Sequence, residues 1–319
     1  MIRINIEDIL PNLFNLGNKE NEDVVLISLL TMKSLVPIDK GRGNRIDYKR
    51  FNEELKLWKY YRVGDNTSIL NILDDIDEEI YFNSKDNIIY SRILPIILAN
   101  QRYEIIEDEI IKNILFISGN IESLLEWMLV GKFLHLILNN EDNIIDELKE
   151  YIINISQVDF LNSYKDFYRF KLDERLKDYK IEFERTRVNL ISILNGIPMK
   201  KYKYIEDIFR VFNDKDPERI FGSIIYYSLL GKDLKIESNN FYNNMNEYIL
   251  KLRKGRIDPK SLIIKEYILP DIFKYEEGDV FFHSLLNESK IIKKEVKNGI
   301  STSLVKSRSG MYLFREARV

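Results

Sequence analysis

Apolar residues recur with helical spacing along most of this chain, at intervals of three and four rather than in strict alternation. This spacing predicts an all-α body, because it places the apolar side chains on one face of each helix. Glycine and proline are scarce, and many of them mark the boundaries between the apolar segments, as at Gly64, Gly119, Gly196-Ile197-Pro198 and Gly231. The helical segments predicted in this way are 24–35, 48–60, 105–117, 121–138, 144–153, 160–176, 181–194 and 220–230.

The pattern changes after about residue 288, where short apolar segments alternate with turn residues. Lys297-Asn298-Gly299 and Ser307-Arg308-Ser309-Gly310 are typical of hairpin turns, and they separate three predicted strands of an antiparallel β-meander. Three strands are marginal alone, so we expect the meander to pack on the helical body or, alternatively, on another chain. The predicted organisation is a helical body at 1–286 and a small C-terminal β-meander appendage at 287–319.

Composition narrows the chemistry that the chain can carry. It has 319 residues, of which 45% are apolar, and this is enough for a substantial core. It has no cysteine and only two histidines, so any metal must be held mainly by oxygen ligands. The first residues lack the order of a signal peptide, and Glu126 and Lys132 interrupt the most apolar stretch. We therefore expect a cytoplasmic protein with no membrane partner.

Charge is unevenly distributed along the chain. The formal net charge is -3, yet residues 287–319 carry eight Lys and Arg against three Asp and Glu. A modest basic excess of this kind is typical of a solvated surface, and no recognisable aromatic and basic module accompanies it. We do not expect a nucleic-acid partner, and the sequence leaves the oligomeric state open.

Two pairs of acidic residues precede apolar helices. Asp214 and Asp216 come before the helix predicted at 220–230, and Glu22-Asp23 comes before the one at 24–35. Each pair has two interpretations. Asp216 could be the N-cap, with Pro217 at the first helical position, although this leaves Asp214 unexplained. Alternatively, the paired carboxylates could bind a hard cation such as Mg²⁺, provided that the two helix starts converge.

A third polar segment contains Asn87 and Arg92 ahead of Pro95. Proline inside a helix removes one backbone donor, so Arg92 could satisfy backbone carbonyls; alternatively, it could hold a phosphate.

Taken in order, these segments resemble the ADP-ribosylglycohydrolase family over about residues 20–231. Asn87, Arg92 and Pro95 keep the spacing of that family's Gly-Asn-Gly-x-x-Met-Arg-x-x-Pro pattern. Glu22-Asp23 resembles its Thr-Asp-Asp-Thr motif, and Asp214-Lys215-Asp216-Pro217 resembles its Asp-Thr-Asp-Thr motif. Ser118-Gly119-Asn120 stands where the family has a turn containing Thr-His.

The resemblance implies an orthogonal all-α bundle that uses two Mg²⁺ ions to bind an ADP-ribosyl group and to orient water for cleavage of its glycosidic bond. Its implied partner is ADP-ribose or an ADP-ribosylated protein. The implied metal ligands are Glu22, Asp23, Asp214 and Asp216. Asp23 and Asp216 are also the implied catalytic residues. The implied substrate-binding residues are Asn87, Arg92, Ser118 and Asn120.

The chain departs from the family pattern at the positions of the metal ligands and catalytic residues rather than at the positions that determine the fold. Val24 follows the first acidic pair, Lys215 and Pro217 occupy threonine positions of the second, and Gly119 stands near the family's histidine. A fold can be kept while its site decays. We therefore expect a binding or interaction protein with a degenerate metal site. The alternative is an active magnesium-dependent hydrolase that removes ADP-ribose from a protein or small acceptor.

Overall fold

A computed structural model describes residues 4–38, 43–173, 175–213, 215–230 and 239–317. Helices make up most of these residues. They are α1 Ile6–Glu20, α2 Glu22–Ser34, α3 Tyr48–Tyr61, α4 Thr67–Asn71, α5 Glu78–Asn83, α6 Tyr90–Ala99, α7 Tyr103–Ile117, α8 Ile121–Leu138, α9 Ile144–Asn154, α10 Gln157–Tyr164, α11 Leu176–Leu194, α12 Lys203–Phe212, α13 Ile220–Leu230 and α14 Asn240–Arg253. The strands are β1 Leu35–Pro37, β2 Asn44–Ile46, β3 Val280–His283, β4 Asn287–Lys297, β5 Ile300–Ser307 and β6 Gly310–Ala317.

The core of the helical body lies around α2, α6 and α8, which bury residues on nearly every side. A helix that is apolar all round is expected at the centre of a large core. Around these three, α1 packs against α2, α13 and α14, while α8 contacts α7, α9, α11 and α12. No helix within the described ranges is long and apolar enough to cross a membrane. The prediction of a mostly helical chain with a small antiparallel C-terminal sheet is confirmed, and the orthogonal bundle type remains a prediction.

One predicted helix, at 160–176, is wrong over most of its length. Helix α10 ends at Tyr164, a 3₁₀ turn follows at Lys165–Phe167, and α11 begins only at Leu176. Between them, the buried Tyr168 hydroxyl bonds to the hydroxyl of Tyr179, and the Arg169 amide donates to the Tyr81 hydroxyl at 3.2 Å. These contacts hold residues 168 and 169 in a non-helical conformation. The aromatic residues of this segment are therefore spaced to pack in an irregular turn and not along one face of a helix.

The C-terminal sheet has four antiparallel strands in the order β3-β4-β5-β6, one more than predicted. The extra strand, β3, lies before residue 287 and pairs with β4. Asn298 and Gly299 have φ angles of 52° and 74°, as the predicted Asn-Gly hairpin turn requires. The inner face of the sheet packs on the body, where the Tyr61 ring lies 5.4 Å from that of Phe314.

Candidate functional site

The first acidic pair lies at the start of α2, where its two members have different surroundings. Asn21 is the N-cap, and its side chain accepts the Asp23 amide at 3.1 Å. Glu22 is exposed. Asp23 is only 3% exposed, and its carboxylate accepts the Trp58 indole N–H at 3.1 Å and the amides of Val63 and Gly64 at 3.2 and 2.6 Å. Asp23 therefore fixes the end of α3 and the turn that follows it.

Gly64 allows this close approach because it has no side chain. A Cβ atom at residue 64 would lie 2.9 Å from Oδ2 of Asp23, inside van der Waals contact. Three donors already occupy most of the lone-pair positions that a carboxylate offers. The geometry thus gives Asp23 a structural role, and it leaves little capacity for a metal at this carboxylate.

The side chain of Arg92 is fully buried and engaged on both sides. Its Nη2 atom lies 2.6 Å from Oδ2 of Asp86, and its Nη1 atom donates to both the backbone and the side-chain oxygen of Asn113. The other Asp86 oxygen accepts from Asn66 Nδ2 at 2.7 Å and from the Ile88 amide at 3.0 Å. The guanidinium is held inside the body by partners that satisfy it, as expected of a buried ion pair.

Asn87 lies next to this ion pair but on the outside. Its side chain is exposed, while its backbone oxygen accepts the Tyr204 hydroxyl at 2.9 Å. The side chain of Asn87 is therefore available to a ligand without loss of that contact.

Ser118 and Asn120 are buried at the turn before α8. The Ser118 hydroxyl donates to the Tyr81 carbonyl at 3.0 Å. Asn120 is the N-cap of α8, and its amide nitrogen donates to the Phe82 carbonyl at 3.1 Å. Between them, a Cβ atom at Gly119 would lie 2.6 Å from the Tyr81 ring and 2.7 Å from the Phe82 ring. The rings fill the space that a side chain at residue 119 would need.

The second acidic pair is only partly described, because Asp214 lies outside the described residues. Asp216 is exposed, and its carbonyl oxygen accepts from Arg210 Nε at 3.1 Å. Helix α13 begins at Ile220, so the interpretation of Asp216 as its N-cap, with Pro217 at the first helical position, is wrong.

The carboxylate that binds the start of α13 comes from another helix. Asp207, in α12, accepts the amides of Glu218 at 3.0 Å and Gly222 at 3.1 Å, and Arg219 lies 3.5 Å away. Burial raises the pKa of Asp207, while these amides and Arg219 act in the opposite direction. A Cβ atom at Gly222 would lie 2.3 Å from Asp207, so this glycine permits the contact.

Glu126 binds the start of α12 in the same way. It is 5% exposed in α8 and accepts the amides of Tyr204 at 2.7 Å and Ile205 at 3.2 Å. Burial raises its pKa to about 7. Asp207 and Glu126 were missed as candidates, although an acid between Leu125 and Trp127 in an otherwise apolar segment signals a buried partner.

A series of pairwise contacts links several of the candidate residues through the helical body. Asp23 binds the turn at Gly64, and two residues later Asn66 binds Asp86. The Tyr90 ring lies 5.8 Å from Phe221 near the start of α13, and burial, followed by the charges of Asp86 and Glu20, raises its pKa. Lys85 and Lys201 both pair with Glu122 in the first turn of α8, which links this turn to the segment before α12.

Within the described ranges, no group of three or more His, Asp or Glu side chains is placed to hold a metal ion. Of the proposed ligands, Glu22 and Asp216 are exposed and Asp23 is occupied by N–H donors.

No protein-family model, no curated protein and no solved structure matches this chain.

Proposed function

We propose that this chain is a non-catalytic binding protein, built on a helical body that resembles the ADP-ribosylglycohydrolases, and that its ligand is an ADP-ribosyl group. The observation that carries the proposal is the state of Asp23. Its carboxylate is 3% exposed and accepts three N–H groups, whereas a metal ligand must keep accessible lone pairs.

Two further contacts support a loss of hydrolysis. Gly119, near the position of the family's histidine, packs against the rings of Tyr81 and Phe82, so no side chain fits there. The Arg92 guanidinium forms an ion pair with Asp86 and a hydrogen bond with Asn113 inside the body, so it does not face a ligand. Support for a ligand comes from the resemblance and from the side chain of Asn87, which is exposed and, among the described residues, makes no contact that the fold requires.

Calorimetric titration with ADP-ribose, with and without MgCl₂, tests the proposal together with an assay for release of ADP-ribose from an ADP-ribosylated protein. We expect binding whose Kd does not change with Mg²⁺, and no release. Asn87→Ala should weaken binding at least tenfold, because it removes the side chain proposed to contact the ligand. The variant should still fold, because the fold uses only the backbone oxygen of Asn87. Asn195→Ala, at an exposed position after α11, is the matched control.

The alternative function is magnesium-dependent hydrolysis, which the exposure of Glu22 and Asp216 favours because exposed carboxylates are accessible to a metal ion. Release of ADP-ribose that requires Mg²⁺ and is abolished by Asp216→Asn would replace the binding proposal with this one. A complete lack of ADP-ribose binding would reject both.

A further inference from the structure

The outer face of the C-terminal sheet has no partner among the described residues. Cross-strand pairing assigns each residue to a face, because residues directly opposite each other point the same way. One row across the outer face runs Val280, Lys290, Lys306 and Met311, and the next joins Lys293, Leu304 and Leu313. The opposite face carries the buried Ile291, Val305 and Phe314.

Large apolar side chains are exposed on this outer face. Val280 and Phe282 of β3 are 59% and 53% exposed, and Met311 and Leu313 of β6 are 51% and 39% exposed. Because the outer face of a sheet that needs no partner is normally polar, two apolar clusters on either side of the lysines of β4 and β5 indicate a contact surface.

Lys290 and Lys306 lie directly opposite each other on neighbouring strands. Both are exposed, and neither has an ion pair with a described residue. Like charges in this position destabilise a sheet, so a negative group bound across the pair would stabilise it. Glu288 lies on the same face two residues before Lys290, but it forms no ion pair with either lysine. Lys293 lies in the adjacent row and extends the positive charge, although it also pairs with Glu295.

The outer face combines positive charge with exposed apolar side chains, and this combination distinguishes between the possible anionic partners. Of the four exposed apolar side chains only Phe282 is aromatic, so nucleic acid, whose bases stack on aromatic rings, would gain little from the other three. A membrane surface would require apolar residues that protrude, but the β4–β5 turn carries Asn298-Gly299 and the β5–β6 turn carries Arg308-Ser309. An acidic protein segment with apolar side chains satisfies both features.

We propose that the outer face of this sheet is a docking surface for an acidic amphipathic helix of a partner protein. Carboxylates of that helix would lie over Lys290 and Lys306, with its apolar side chains against Met311, Leu313, Val280 and Phe282. A helix packed on a sheet is a common layer arrangement. Four strands at about 4.8 Å spacing match roughly three turns of helix. This surface belongs to the sheet, so the proposal is independent of ADP-ribosyl binding by the helical body.

The test uses a synthetic, helix-stabilised, fluorescent peptide of about 14 residues with leucine and glutamate on one face, and fluorescence anisotropy with the full chain. Lys306→Glu should weaken binding at least tenfold while raising the melting temperature, because it gives Lys290 an opposite charge across the strands. Lys290→Glu with Lys306→Glu should abolish binding but leave the melting temperature near that of the unchanged chain. Lys254→Glu, an exposed position after α14, is the control.

Three comparisons complete the experiment. A peptide with glutamine in place of glutamate should bind at least tenfold more weakly, and Leu313→Ser should also reduce affinity. The proposal is overturned if the peptide binds equally to the Lys306→Glu chain. It is overturned as well if vesicles of phosphatidylserine or a single-stranded oligonucleotide bind this face and the peptide does not.

Discussion

The backbone amide of Gly64 lies 2.6 Å from Oδ2 of Asp23 and joins the start of α2 to the turn after α3. Two further donors, from Trp58 and Val63, complete the contact. An acidic pair that resembles a metal motif thus contributes one member to internal structure and leaves the other, Glu22, exposed.

Replacing Asp23 should therefore reduce stability. In Asp23→Asn, the amide NH₂ group faces backbone donors and the negative charge is lost, so we expect the free energy of unfolding to fall by about 2 to 3 kcal/mol. Glu22→Gln, one residue earlier and exposed, should change it by less than about 1 kcal/mol. Urea unfolding of both variants measures the difference, and equal stability of the two would refute a structural role for Asp23.

The buried ion pair of Arg92 with Asp86 predicts a larger loss. Arg92→Met leaves the Asp86 carboxylate, 4% exposed, without its cation, and we expect a decrease of about 3 to 5 kcal/mol in the free energy of unfolding. Arg102→Met is the control, because its pairing with Glu104 at 3.5 Å is exposed and should contribute less than about 1 kcal/mol. If both variants unfolded at the same urea concentration, the ion pair of Arg92 with Asp86 would not stabilise the fold as proposed.

Glu126 should make stability fall as pH rises. Burial raises its pKa from 4.5 to about 7, so between these values the folded chain holds a proton that the unfolded chain has released. Glu126→Gln removes this dependence, while its amide oxygen can still accept the Tyr204 N–H. The variant should gain stability relative to the unchanged chain as pH rises from 4.5 to 7, by about 3 kcal/mol at most. Urea unfolding at intervals of pH measures the gain, and a constant difference would contradict the prediction.

His283, on the inner side of β3, should act in the opposite direction. It is 3% exposed, its Nδ1 atom accepts the Leu285 amide at 3.1 Å, and burial lowers its pKa from 6.5 to about 4. Below pH 6.5 the unfolded chain binds a proton that the folded chain does not, so stability should fall as pH decreases towards 4.

His283→Asn, whose side-chain oxygen can also accept from Leu285, should lose less stability between pH 7 and pH 4.5 than the unchanged chain. Thermal unfolding at both values measures this. His135→Asn is the comparison variant, because burial also lowers the pKa of the partly exposed His135, so its effect should have the same direction but be smaller. An identical pH dependence in the His283 variant and the unchanged chain would exclude His283 as the source.

Seven of the eight helices predicted from the sequence are present, because apolar spacing is a local property, whereas α1, α12 and α14 were not predicted. The sequence also predicted the sheet at the C-terminus and the Asn298-Gly299 turn. The extra strand β3 has only four residues, too few for a periodic pattern. The segment after Tyr164 was assigned to a helix because its aromatic spacing is helical, but contacts with Tyr81 and Tyr179 determine its path.

The surroundings of the candidate residues could not be predicted in this way. Glu126 binds amides 78 and 79 residues further along the chain, and no local pattern indicates such a pairing. The same holds for the donors of Asp23, which lie 35 to 41 residues away. The acidic motifs could be found from the sequence, but whether each carboxylate faces solvent or an amide depends on tertiary packing.

The two aromatic rings against Gly119 set a condition for placing any side chain at this position. Introducing histidine there would first require smaller side chains in place of Tyr81 and Phe82. Those truncations would open a cavity in the helix layer and demand compensating mutations elsewhere. A library that varies residue 119 alone should therefore yield chains that are less stable than the unchanged protein.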